Sequence, residues 1–404
     1  MFHYLKYTLY LLLAVPVLGA TTLGGHWMWY GLLAAIFLIV IGDIFMGDDV
    51  TEPKFHHPGV LNFQLFLSLP VTAFYCFVMV WHASSGTSDP LGYGAFVQSV
   101  SGFDAIAARN ATTPFDYVGG FITAALYVTL MSTLVAHELT HRTWDKAAMF
   151  VGRWLLAFSW DVGFATEHVY GHHVYVGTTK DPATAPRGRN VYTQIVLATI
   201  RTNVSAWNLE KERLVKKRLP VFSHHNAFLR GQLMSLSIAV ASFLVSGWKG
   251  VLFFLGMAAG AKVILEIVNY MEHYGVVRLE GQPVQPRHSW NSNKRMSSWA
   301  TFNLTRHSHH HAQGEVPFWD LRPYQDAPMM VSGYLSTIFL TLVPPLWHRL
   351  MVPKLIEWDQ RYASPEEKKL AGIANAESGL SGLVEHTYGA RGAGNAAPGA
   401  ALPA

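Results

Sequence analysis

The amino-acid sequence predicts an all-α integral membrane protein: about six transmembrane helices in three hairpins, carrying a histidine-rich metal-binding cap on the cytoplasmic side. Three observations predict it. Of the 404 residues, 50% are hydrophobic and only 14% charged, where an ordinary soluble domain carries roughly a quarter charged. The apolar residues are gathered into stretches of about twenty, the length a helix needs to cross roughly 30 Å of hydrocarbon. Ten of the 20 histidines fall in four short clusters at the ends of, or between, those stretches.

Taken in order, the stretches that qualify as spans are 7–24, 27–45, 63–81, 117–136, 228–247 and 251–270. The first resembles a secretory signal ending near Ala20. Only Lys6 charges its front end, however, and a second apolar run follows at once, so it is read as a retained helix. Two further apolar stretches, 147–164 and 329–351, are interrupted by Asp161 and by Pro344 and Pro345. They are expected to be interfacial or re-entrant helices, because broken helical hydrogen bonding is tolerated at membrane depth only where protein or water covers it. A single membrane domain is thus expected over 1–370. The Ala- and Gly-rich remainder, 371–404, has no apolar period and is expected to be disordered.

Charge gives an orientation. The segment 137–225 carries twelve Lys and Arg, and the chain after Met271 twelve more, whereas 83–115 holds only Arg109 and the turn 248–250 only Lys249. By the positive-inside rule, both large polar parts and both termini are cytoplasmic, in a multi-pass protein of the cell inner membrane. The formal net charge is only +4 and its basic residues follow topology, so no nucleic-acid partner is inferred. The single Cys76 lies in an apolar stretch and provides neither a disulfide framework nor a thiolate metal site.

Any metal must therefore be held by nitrogen or oxygen, and the histidines supply the nitrogen. In HELTHR, His137 and His141 are four residues apart and share one helical face. EHVYGHH contributes His168, His172 and His173; NYMEHYG contributes His273; RHSHHHA contributes His307, His310 and His311. These nine candidate ligands exceed the three or four protein ligands of one zinc. Two five- or six-coordinate irons use about eight or nine and leave a position for oxygen, and imidazole suits iron. The lone His3, His82, His288, His348 and His386, and the pairs His56–His57 and His224–His225, are read as surface or interfacial groups. Carboxylates accompany the clusters: Glu138 follows His137, Glu167 precedes His168, and Glu272 precedes His273. They are expected to accept the second N–H of ligand imidazoles. Glu266 lies two turns before His273 on the same face, inside a span, where an ionisable group is a functional hypothesis by default, and it is expected to support the metal cage as the other three carboxylates do.

At these motifs the chain resembles the alkane and xylene monooxygenase family, membrane hydroxylases related in architecture to fatty-acid desaturases. HELTHR resembles the first histidine box of that family, EHVYGHHVYVGTTKDPATAPRG the second, and NYMEHYG the signature after the sixth span. RHSHHHA, followed by LRPYQDAPMM and PPLW, resembles the third box. The resemblance covers nearly all of the chain before the Ala/Gly tail. It implies two non-haem iron ions with O2 as co-substrate, and His137, His141, His168, His172, His173, His273, His307, His310 and His311 as ligands. His309 stands where alkane hydroxylases commonly have Asp; His310 and His311 preserve the HxxHH spacing. WDQRYASPEEKK and GGHWMW look closer to xylene-type members, EHVYGHH closer to alkane-type ones.

The implied reaction is hydroxylation of an n-alkane or an alkyl aromatic drawn from the bilayer. The small-residue patches Gly119, Gly120, Ala124, Ala125 and Gly256, Ala258, Ala259, Gly260 permit close helix packing or an open channel. Electrons must come from another protein, because the chain has no cysteine cluster and no dinucleotide fingerprint. The resemblance implies rubredoxin or a [2Fe–2S] ferredoxin-type reductase. The basic run Lys211, Arg213, Lys216, Lys217 and Arg218 has two readings: docking of an acidic donor, or a solvated or lipid-facing charge run. Two enzymatic alternatives stand beside hydroxylation: a desaturase on the same cage, and an intramembrane zinc metalloprotease using HELTH with Glu138 as base. A metal transporter fits least, for want of a row of ionisable residues through the spans.

Overall fold

The structure, a computed structural model, describes residues 1–388. Among them it is all-helical, with two isolated backbone bridges, Asp48 with Lys294 and Asn291 with Met329. The first four spans are Phe2–Leu23, Gly25–Met46, Pro58–Trp81 and Pro114–His141. The fifth and sixth share one helical run, Ala227–His273, of 47 residues. A straight helix of that length would reach about 70 Å, twice the bilayer core. It is broken at Ser246 and at Gly247, whose φ of 59° with ψ of −151° suits glycine alone. Beyond the break, Gly250 packs so closely on the Ser242 carbonyl that a Cβ has no room. The run therefore folds back as a hairpin, and Ser246 Oγ ties its turn to the end of the third span by donating to Val80 O at 2.8 Å.

Large apolar side chains face outward along the spans, among them Leu33, Phe37, Phe63, Leu244 and Leu252. Such outward apolar faces require lipid as their solvent, because a water-soluble monomer rarely exposes apolar patches of this extent. Inside, the fourth and sixth spans meet through small residues: Gly260 packs on Ala125, and Gly256 on the Phe121 ring. Close packing is thus the use the structure makes of those patches.

The helix of the fourth span continues through HELTH to His141, as the spacing of His137 and His141 predicts. Two sequence expectations are refined. The stretch 329–351 becomes Tyr334–Thr341 and Pro344–Tyr362, bent by 119° where Pro344 cannot donate a helical hydrogen bond. The expected disordered tail is corrected over its first part. Helices Pro365–Glu377 and Ser381–Tyr388 occupy it, and Ala371, Asn375 and Leu383 are buried. The remainder of that tail lies outside the described residues.

The reason for this order is a buried ion pair that composition does not reveal. Arg187 grips Asp359 through both terminal nitrogens at 2.8 and 2.7 Å and donates to Asn375 Oδ1 at 2.5 Å. Removing one partner of such a pair strands a buried charge, at a cost of about 3–5 kcal/mol. Exposed pairs contribute about 0–1 kcal/mol, and Lys180 with Glu280, both more than half or half exposed, is one of these. Arg187→Met is therefore expected to lower the thermal unfolding midpoint in detergent clearly more than Lys180→Met does. Equal midpoints for the two variants would remove the clamp from the stability of the C-terminal helices.

Candidate metal centre

Four chain segments deliver histidines to one end of the bundle. The fourth span ends in His137 and His141, and the sixth in Glu272 and His273. The second cluster lies on a π-helical turn, His168–His172. Its i→i+5 bonding widens the helix, so His173 returns over His168 instead of facing away. The third cluster opens a short helix, His307–Ala312, after a sharp turn in which Phe302 and Asn303 hold φ of 51° and 54°. Such conformations persist in non-glycine residues only where the surroundings over-determine them. Here Asn303 Nδ2 donates to Tyr7 Oη at 2.6 Å, and buried Arg306 donates to the carbonyls of Leu321 and Asp49 at 2.5 and 3.0 Å.

The nine predicted histidines converge in two adjoining sets. His137, His141, His168, His173 and His310 bring one ring nitrogen each within 4.8 Å of all the others. His172, His273 and His311 do the same, and His307 joins them through His273 and Glu272. Nε2–Nε2 separations are 3.0 Å for His141–His168, 3.1 Å for His168–His173 and 3.1 Å for His173–His310. In the second set they are 3.2 Å for His172–His273 and 3.0 Å for His273–His307. The His173 and His311 rings stack at 4.3 Å and join the two sets. Buried His137 Nε2 and both nitrogens of His311 have no hydrogen-bond partner. Buried nitrogens left without partners are costly, and a shared cation satisfies them; the donor set fits metal.

His309 is not among them. Its Nδ1 accepts from Arg322 N at 2.9 Å, and its ring packs on Tyr324. Of the residues read as isolated, His288 and His82 are buried, not superficial, and His288 bonds Glu367 at 2.7 Å.

The carboxylates divide. Glu272 accepts from Tyr334 Oη at 2.6 Å and stands 3.3 Å from His307 Nε2. Glu138 instead pairs with Arg142 at 2.6 Å, and Glu266 with Lys262 at 2.7 Å. Glu167 accepts from Ser205 Oγ at 3.3 Å and lines a narrow polar cavity beside His168, His172, Lys262 and Glu266. The carboxylate that does hold a candidate ligand's second nitrogen is Asp181, 2.9 Å from His172 Nδ1 and itself bonded by Thr184 at 2.6 Å. Sequence reasoning quoted Asp181 inside the second box without assigning it a role; its position eight residues after His173, in a turn, gives no periodic signal. Lys262 was legible as the i−4 partner of Glu266.

Burial, followed by repulsion from neighbouring imidazoles, holds His168, His173, His307, His310 and His311 well below the ordinary histidine range. They are neutral at physiological pH, as ligands must be. At His172 burial pushes the same way, but the carboxylates of Asp181, Glu167 and Glu272 together outweigh it, Asp181 foremost, and the net shift is upward. Burial and then Asp181 push Glu167 up to about 8.

Metal content tests the assignment. His172→Ala and His310→Ala, one from each set, are each expected to lose at least half of the bound metal and essentially all turnover while the protein still inserts and elutes normally. His309→Ala is expected to keep both. Asp181→Asn is expected to lower metal affinity about 10- to 100-fold. Unchanged metal in His310→Ala would remove that residue from the ligand set.

The profile of the fatty acid desaturase family matches residues 113–340, which contain every ligand candidate. The chain is 40% identical over 259 residues to alkane 1-monooxygenase 1 of Pseudomonas aeruginosa, covering 63% of this chain and 66% of that protein. It is 32% identical to alkane 1-monooxygenase 2 of Alcanivorax borkumensis, over 82% of this chain and 83% of the relative. It is 30% identical to the xylene/toluene monooxygenase hydroxylase component of Pseudomonas putida, over 90% and 94%. Histidines gathered from four segments at the end of a lipid-facing bundle, and likeness to these proteins along most of the chain, place it in the fatty acid desaturase family, as a monooxygenase of the alkane and xylene hydroxylase group.

Proposed function

We propose that the protein hydroxylates an unactivated terminal or methyl C–H bond of a hydrophobic molecule to the primary alcohol, using O2 at two non-haem iron ions held by the nine histidines. The substrate is an n-alkane or an alkyl- or methyl-substituted aromatic, in keeping with the names of the relatives. The observation that carries the reading is the partition of nine imidazoles into adjoining sets of five and four. Nine imidazoles exceed the three or four protein ligands that one zinc takes, and that donor number favours two irons.

Iron, when bound, supplies the oxygen activation that no side chain provides. The chain's residues bind and orient the substrate and keep water out. An apolar cavity of about 80 Å³ lies between the spans, lined by Ala35, Ile39, Leu126 and Ile264 among others. Leu134 and Thr301 also line a second, smaller cavity that ends at His137 and His310. A chain-like apolar molecule entering from lipid is thereby led end-on to the first histidine set. That delivery selects a terminal or methyl carbon over an interior one.

The overall reaction takes RH, O2, two electrons and two protons to ROH and water. With one buried cysteine the described chain offers no cluster of its own, so rubredoxin or a [2Fe–2S] reductase supplies the electrons. A soluble donor and the basic polar segments together support an inner-membrane location with cap and termini in the cytoplasm. The metalloprotease reading needs Glu138 free to activate water, but Glu138 is held by Arg142, which also bonds Asn62 at 2.5 Å. The family profile keeps a desaturase as the second reading.

Purified protein is expected to hold about two irons per chain. Supplied with reductant, 18O2 and a mixed alkane and alkylbenzene feed, it is expected to release alcohols carrying one labelled oxygen. Products lighter by two hydrogens would turn the assignment to desaturation, and one zinc with no iron would end it. Leu134→Trp, which fills the passage between the two cavities, is expected to cut turnover of long substrates about tenfold or more with iron unchanged. Undiminished turnover would mean that substrate enters elsewhere.

A further inference from the structure

A cleft of about 750 Å³ lies apart from the nine histidines of the metal centre. It lies between the Lys146–Phe158 helix, the end of the Val191–Lys216 helix and the start of the fifth span at Ala227. Five cationic side chains line it, Arg153, Arg213, Arg230, Lys216 and Lys217, against two carboxylates, Glu210 and Glu212, an excess of three positive charges. Glu210 is fully engaged: it accepts twice from Arg213 at 2.6 Å and once from Ala227 N at 2.6 Å. Arg230 has only the His224 carbonyl, at 2.5 Å, and Arg153 only a long contact of 3.5 Å to Ala227 O. Burial and then the facing Arg230 hold the Arg153 guanidinium below its ordinary range. Arg153 and Arg230 thus face one cleft with no carboxylate paired to either; guanidinium groups so placed are arranged for an anion, and phosphate takes such forks bidentately.

We infer that this cleft holds the phosphate of an anionic phospholipid, its headgroup between Arg153 and Arg230 and its acyl chains along the fifth span. The position supports lipid over a protein partner. The cleft opens where a span begins, and its walls include Met149, Leu209 and Leu219. Around it Trp144, Phe150 and Phe222 are 64%, 61% and 81% exposed. Aromatic side chains of this kind settle at the boundary between headgroups and hydrocarbon. Lys211, from the same basic run, does not line the cleft. Ala165, Thr166 and Tyr170 do, so the occupant braces the segment that carries Glu167 and His168.

The test is lipid retention by delipidated full-length protein, read by native mass spectrometry with phosphatidylglycerol, phosphatidylcholine or inorganic phosphate added. Wild-type protein is expected to keep at least one phosphatidylglycerol and to bind phosphatidylcholine roughly tenfold more weakly. Arg153→Gln with Arg230→Gln is expected to lower phosphatidylglycerol retention about tenfold; Lys211→Gln is expected to leave it unchanged. Should the glutamine pair misfold, Lys216→Gln with Lys217→Gln, on the exposed lip, is expected to show a smaller loss in the same direction. Equal retention in the folded glutamine pair overturns the proposal. Displacement of the lipid by millimolar inorganic phosphate would make this a free-anion site. A raised KM for the reduced electron donor with lipid retention unchanged would assign the cleft to the donor.

Discussion

Nine imidazoles share the buried end of this bundle only if something accepts their lone pairs. Protonation does not serve: burial disfavours charge, and each added proton would repel its neighbours across about 3 Å. Bound metal serves, and the surrounding architecture follows from the need to hold the donors ready for it. The π turn at His168–His172, the left-handed pair Phe302 and Asn303, and the buried Arg306 all hold backbone in conformations that an ordinary helical bundle avoids. Their cost falls on polar contacts outside the ligand set, such as those of Arg306 with the Leu321 and Asp49 carbonyls. Apolar packing of the spans carries the rest.

That division of labour ties the membrane to the chemistry. The fourth and sixth spans are lipid-facing or tightly packed over most of their length, and present histidines over their last turns. Rigid spans thus fix His137, His141 and His273, while the second and third clusters ride on irregular segments that are locked by hydrogen bonds. The same geometry places an apolar cavity directly behind a polar site.

What was legible in the sequence was whatever repeats locally. Spans follow from runs of apolar residues, and HELTHR, EHVYGHH, NYMEHYG and RHSHHHA follow from spacing alone. The HxxHH spacing separated His310 and His311 from His309, whose ring does face away. The division into sets of five and four was not legible, because it depends on how segments more than a hundred residues apart meet, as His172 does His273. Adjacency misled for Glu138: on a helix its neighbour is the residue four on, Arg142, not the preceding His137. Composition misled at the tail, where Ser364 caps a helix whose Asn375 is drawn inward by Arg187 and Asp359. Of those partners Arg187 lies 188 residues upstream, beyond the reach of local composition.

The charges inside the bundle make the same point from the energetic side. Lys262 stands in the sixth span, bonded to Asp161 at 2.9 Å and to Glu266 at 2.7 Å, with Asn269 donating to Glu266 at 3.3 Å. An unpaired ion at that depth would be expensive, so each member is stable only while the others stay in place. Asp161 sits just after the Lys146–Phe158 helix and just before the turn that bears His168. A slip of that segment along the sixth span would therefore strand a lysine and two carboxylates in an apolar setting. The ion network fixes the register between the span that ends in His273 and the segment that carries His168, His172 and His173, which is how His172 and His273 come to lie within 3.2 Å of each other.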